Sequence, residues 1–96
     1  MYDLTAFQRD LLYAVGSQEE PHGLAIKDVL EEYYESDIHH GRLYPNLDEL
    51  VEKGLVEKGT IDDRTNSYTL TRRGRRELAD RRAWEEHQVE IEEAAV

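Results

Sequence analysis

The sequence predicts a mainly α domain carrying one small two-stranded β-sheet. Three observations support this. Apolar residues recur at helical spacing in three separate segments, two short β-prone runs then flank a polar turn, and a threonine opens a last, highly charged segment.

The elements follow in order. Thr5 is placed to cap a first helix over about residues 6–16, where Leu4, Phe7, Leu11 and Val15 share one face. GSQEEPHG (16–23) breaks that pattern with Gly, Ser and Pro. A second helix, about 23–35, carries Ile26, Val29, Leu30 and Tyr33 at i, i+3, i+4 and i+7. ESDIHH interrupts again, and a third helix opens near His39 or His40. Leu43, Leu47, Leu50 and Val51 form its buried stripe, and Gly54 is the residue just past its end. Pro45 fits this helix if it lies in the first turn, where a missing N–H has no helical partner. The helix should therefore not begin much before Gly41.

LVEKGTI (55–61) and NSYTLT (66–71) read as strands joined through DDRT (62–65), with Tyr68 and Leu70 alternating with polar neighbours. Thr71 caps a last helix running through RRGRREL to the final residue. Gly74 costs that helix about 1 kcal/mol relative to alanine, a cost usually explained by close packing. Helix, helix, helix, strand, strand, helix is the order of a winged helix-turn-helix, whose third helix enters a DNA groove beside a two-stranded wing. Residues 1–74 are assigned to that DNA-binding domain and 75–96 to a C-terminal dimerisation helix.

Composition narrows the setting. A single core of 96 residues is marginal alone, which favours a partner subunit. The absence of cysteine excludes disulfides, thiolate metal sites and thiol redox switches. No apolar run approaches the roughly 20 residues that cross a bilayer, and MYDLTAFQRD lacks the regions of a signal peptide, so a cytoplasmic protein without membrane contact is expected. Asp and Glu number 22 against 12 basic residues, of which only Lys27, Lys53 and Lys58 are lysines. Such acid-rich, lysine-poor chains resemble proteins of salt-accumulating halophiles; the alternative is an ordinary acidic protein. The charge is uneven: residues 1–37 carry net -7, 38–76 net +2 and 77–96 net -5. The middle is where a polyanion is tolerated.

HGLAI in the second helix, GRLYPNLDELVEKGLVE across the third, and YTLTRRGRREL after the wing resemble the PadR family of transcriptional regulators. The resemblance runs from about Phe7 to Trp84 and is most specific at Leu43, Tyr44 and Pro45, then Lys53, Gly54 and Leu55, then Thr71 and Gly74. It implies a winged helix that binds operator DNA and a C-terminal helix that pairs in a homodimer. With the acidic composition it points to a haloarchaeal member, a type that includes oxidative-stress regulators. The chain departs from the family pattern in a short wing with Asp62 and Asp63, and in a brief, acidic final helix.

On the third helix, the face opposite the leucines carries Gly41, Arg42, Pro45, Asp48, Glu49 and Glu52, so only its first turn suits DNA. Arg42 is a candidate for guanine O6/N7 or phosphate, and Asn46 for adenine N6/N7. Tyr44 either reaches phosphate or is half-buried in the core. His39 and His40 are expected to cap or contact phosphate; adjacent histidines point apart, and no cysteine or near carboxylate pair completes a metal set. Arg64 is the wing-tip candidate for minor groove or phosphate. Arg72 and Arg73, in the RRGRR cluster, either meet the DNA backbone or pair internally with Glu77 and Asp80. Trp84, Gln88, Ile91 and Ala95 form a helical seam assigned to the dimer interface, together with Phe7, Leu11 and Leu78. Effector contact is a lesser alternative for Trp84. The expected partners are double-stranded DNA, a second copy of the chain, and potassium or other cations held at the DNA interface. No catalytic set, cofactor or metal is expected. The rival function is a winged helix used for protein–protein contacts without DNA.

Overall fold

A computed structural model describes residues 1–90. The elements come in the expected order: α1 (Ala6–Gly16), α2 (Gly23–Tyr34), α3 (His40–Glu52), β1 (Val56–Asp62), β2 (Thr65–Leu70) and α4 (Arg72–Gln88).

Thr5 caps α1 reciprocally. Its hydroxyl accepts from the Gln8 N–H at 3.1 Å, and the Gln8 side chain accepts from the Thr5 N–H at 3.2 Å. Leu4, Phe7, Leu11 and Val15 are buried, and Leu12 and Ala14 widen the stripe. In α2, Ile26 and Leu30 are buried and Val29 only partly so. Tyr33, expected in that stripe, is instead 76% exposed, and its neighbour Tyr34 packs against the core. The helix ends just beyond, with Glu35 left-handed at φ 54°.

Pro45 departs from expectation. α3 begins at His40, which makes Pro45 its sixth residue rather than a first-turn one. The ring removes the bond to the Gly41 carbonyl. Gly41 is exposed with open space around it, so water can satisfy that carbonyl and the helix continues. Leu43, Leu47 and Leu50 are fully buried, and Gly54 closes the helix at φ +77°.

The strands pair antiparallel from Val56↔Leu70 to Asp62↔Thr65, with a register shift between Thr60 and Asp62. They reach further into DDRT than expected, leaving Asp63 and Arg64 as the connection. The Asp62 carboxylate accepts from the Arg64 N–H at 2.9 Å and fixes that turn. The hairpin is also laced to the chain ahead of α2: the Tyr68 N–H donates to the Pro21 carbonyl at 2.9 Å, and His22 bridges to Ser67.

Thr71 caps α4 by accepting from the Gly74 N–H at 3.0 Å, while its own hydroxyl donates to the Gly54 carbonyl at 2.7 Å. Gly74 lies against the Leu55 backbone carbonyl, and any Cβ there would collide with it. Gly74→Ala should therefore destabilise the protein by about 1–3 kcal/mol despite alanine's better helix propensity, because a backbone carbonyl cannot rotate away. Denaturant unfolding measures this; an unchanged or higher midpoint would contradict the contact.

The helix expected to run to the final residue ends at Gln88, with Val89 extended at φ -134°, ψ 120°. Ile91 and Ala95 lie outside the described residues. The core joins α1, α2, α3, the start of β1, Tyr68 and Leu78 into one cluster. This corrects part of the expected dimer interface. Phe7 (5% exposed), Leu11 (0%) and Leu78 (8%) belong to the protomer's own core, since the α1 stripe is the face that closes it.

Candidate nucleic-acid interface

The lacing of β2 to Pro21 and His22 places the wing tip beside the first turn of α2 and Tyr44 of α3. A hollow of about 250 Å³ there is lined by His22, Gly23, Leu24, Tyr44, Arg64, Thr65, Asn66 and Tyr68. Gly23 makes it possible, because a side chain at that position would meet the Tyr44 ring and hydroxyl. Tyr44 is thus half-buried, with its hydroxyl beside the α2 N-terminus, and His40 stands edge-on to it at 5.6 Å. His22 and His39 occupy the N-cap positions of α2 and α3 without side-chain capping bonds, and neither first turn holds an acid. At the hollow itself the uncapped N–H groups and positive end of α2 favour an anion.

Arg64 joins this end from the wing. The Asp62 carboxyl beside it is held below its ordinary range by the Arg64 N–H and by Thr65, so it stays charged and shapes the turn. Tyr44 and Arg64 are therefore brought together and His40 lies against the Tyr44 ring, while His39 and His40 do not line the hollow.

Arg42 behaves differently. It is exposed, but its guanidinium lies over the Phe7 ring of α1, 3.9 Å from the centroid. Asn46 is corrected as a base-reading candidate, because both ends of its amide are already used. Its oxygen accepts from Gln8 Nε2 at 3.0 Å, and its nitrogen donates to the Arg42 carbonyl at 2.7 Å. The same Gln8 Nε2 donates to Glu49, whose carboxylate can only accept, so the amide orientations are settled by the network. Asn46 is a strut between α1 and α3.

Arg72 and Arg73 lie at the opposite end of α3. Arg73 lines a hollow with Met1, Asp3, Glu52, Lys53, Leu55 and Glu77, and Glu77 itself pairs with the Met1 amino group at 2.7 Å. Sequence reasoning missed Phe7 and Gln8 as supports of α3. Threonine followed three residues later by glutamine signals Gln8 as a capping residue but not its reach to Asn46; nothing local marks Phe7 as Arg42's platform.

The outer carboxylates of α3 are partly engaged. Asp48 stands 3.6 Å from Lys58 of β1, an exposed pair of little energetic weight, and Glu49 holds Gln8. Among the described residues no three His, Asp or Glu side chains converge as a metal site would require, and no helix is long and apolar enough to cross a membrane.

A second concavity, about 720 Å³, runs between α1, α2 and α4. Asp10, Tyr13, Val29, Tyr33, Leu70, Leu78, Ala79 and Arg82 contribute to its lining. Beyond Leu78 every α4 residue except Arg81 is exposed, Trp84 at 53%, and Val89 just past the helix is 58% exposed. Arg81 stacks on Trp84 at 4.7 Å.

Residues 11–80 match the transcriptional regulator PadR-like family. The chain belongs to that family. RosR of H. salinarum is 49% identical, with 95% of this chain and 82% of that one covered at a TM-score of 0.87. The hsRosR-S1 form, solved in a complex, is 52% identical over 91% of this chain and 77% of that one, at a TM-score of 0.86. Bacillus subtilis PadR, solved with operator DNA, is 24% identical, with 96% of this chain and 54% of that one covered at a TM-score of 0.68; it shows the fold alone. No curated protein matches. A PadR-like chain with this winged helix is a DNA-binding transcription regulator, and the family is not enzymatic.

Proposed function

We propose that this PadR-like regulator acts as a homodimer on near-palindromic operators in a cytoplasm of concentrated salt. The observation that carries the DNA-facing side is the hollow that Arg64 of the wing and Tyr44 of α3 form with the uncapped N-terminus of α2. A phosphate seated there fixes the protein on the backbone, and the first turn of α3 then offers Arg42 to a base edge. His39 and His40 flank the same turn.

The dimer reading is supported by the apolar α1–α2–α4 groove and by the half of α4 that projects past Leu78 without core contacts. A second copy's Trp84 turn, together with Val89, has the apolar character to fill such a groove. Residues 75–96 remain assigned to dimerisation, with Trp84 and Gln88 as described members of that surface. Conversely, a protein–protein module that ignores DNA would bind operator and random duplexes equally poorly.

Genome-wide mapping of bound DNA supplies the operator, and competition titrations then test the head. Arg42→Ala should weaken operator binding by about 1–3 kcal/mol and relax preference at one base position. Arg64→Ala should weaken every duplex alike, and Asn46→Ala should lower stability and, by releasing the Arg42 carbonyl, blunt base preference less than Arg42→Ala does. An Arg42→Ala protein with native affinity and preference would remove α3 from the groove.

A further inference from the structure

Arg42 leaves α3 at the third residue of the helix, yet its guanidinium lies over a side chain of α1. Among the described residues that guanidinium makes no hydrogen bond and no ion pair; its defined contact is the Phe7 ring, 3.9 Å from the centroid. Free donors alone do not set Arg42 apart, since Arg64, Arg72, Arg73, Arg75, Arg76 and Arg82 also make no side-chain hydrogen bond or ion pair among the described residues; the buried ring beneath it does.

A guanidinium held by its face keeps its N–H edge free for in-plane acceptors, the geometry that guanine O6/N7 and phosphate oxygens require. Phe7 is a firm platform. It is 5% exposed and tilted against Tyr34 at 6.1 Å and 53°, and the Tyr34 hydroxyl donates back to Asp10 of α1. The other end of Arg42 is held as well, because its carbonyl accepts from Asn46 while Asn46 is held by Gln8 of the same helix. One turn of α1 therefore steadies both the backbone and the tip of this arginine. A short-range stack also survives salt that screens longer-range pairing with the surrounding acids.

We propose that Phe7 is a positioning residue for DNA recognition: it stacks Arg42 so that the guanidinium edge is presented to the base or phosphate met by the first turn of α3. This rests on α3 being the reading head. Phe7 touches no DNA itself; it sets how sharply Arg42 discriminates.

A double-mutant cycle on the full chain tests this, using operator titrations at fixed KCl, with folding followed by circular dichroism. Phe7→Leu should lower operator affinity roughly three- to tenfold and blunt discrimination at the base read by Arg42. In an Arg42→Ala background the same change should have no further effect, and Phe7→Tyr, which keeps a ring face, should bind as the native protein does. Equal losses in both backgrounds would make Phe7 a core residue only and overturn the proposal. If Arg42→Ala bound DNA natively, the reading head and this inference would fall together, a result distinct from the former. NMR gives a readout independent of DNA and of any poorly folded variant. The Arg42 side-chain protons of the native protein should be shifted upfield by the Phe7 ring current, and their absence from that position would overturn the stack itself.

Discussion

Ending the chain before Trp84 should produce a folded monomer whose operator affinity falls roughly 10²–10⁴-fold, the usual scale of lost bivalency. Two heads on an approximate palindrome read half-sites about 10 bp apart, or a multiple of that, and each head alone keeps only its own contacts. The protomer should survive the cut. Its core closes at Gly74 and Leu78, and Trp84 is 53% exposed, so the deletion removes surface rather than packing. Composition alone, which makes a core of this size marginal without a partner subunit, would have a truncated monomer fold poorly. Sedimentation and operator titration on the same sample decide the matter. A truncated protein that still sedimented as a dimer would place the interface on Tyr13, Val29 and Tyr33 of the groove without α4.

Operator affinity should hold, or rise, as KCl is taken to molar concentration. A typical DNA-binding protein releases counterions, with log affinity falling at a slope of about -0.9 per phosphate neutralised, and loses roughly 10³–10⁵ in affinity between 50 and 200 mM salt at 6–10 contacts. Docking α3 by its first turn brings Asp48, Glu49 and Glu52 towards the duplex, and the wing brings Asp62 and Asp63. All five side chains are exposed. Cations must be kept between those carboxylates and the phosphates, which offsets the release. Salt also screens the self-repulsion of the protomer and weakens exposed pairs such as Asp48–Lys58 at 3.6 Å, so folding must be followed separately. A titration against KCl with circular dichroism in parallel measures the slope. A steep negative slope with the protein still folded would overturn the high-salt reading and leave the winged helix standing.

Local signals determined more of this protein than its marginal size suggests. Thr5, Gly54, Thr71 and Gly74 punctuate the chain where the structure has its caps and close approach, and the α3 leucines fall where the core needs them. These features are legible because capping and periodicity act over three or four residues, a range that one sequence displays directly. The side-chain directions of the site were decided only by tertiary structure. Gln8 and Asn46 are 38 residues apart, so no local pattern could show that the apparent adenine reader is already bonded. Phe7 and Arg42 meet by the same α1–α3 contact. The apolar residues were likewise divided between core and surface by packing: hydrophobicity marks Phe7, Leu11, Leu78 and Trp84 alike, but only the first three have neighbours on every side. Which face of an apolar residue is covered depends on elements distant in sequence, and that geometry exists only once the chain has closed on itself.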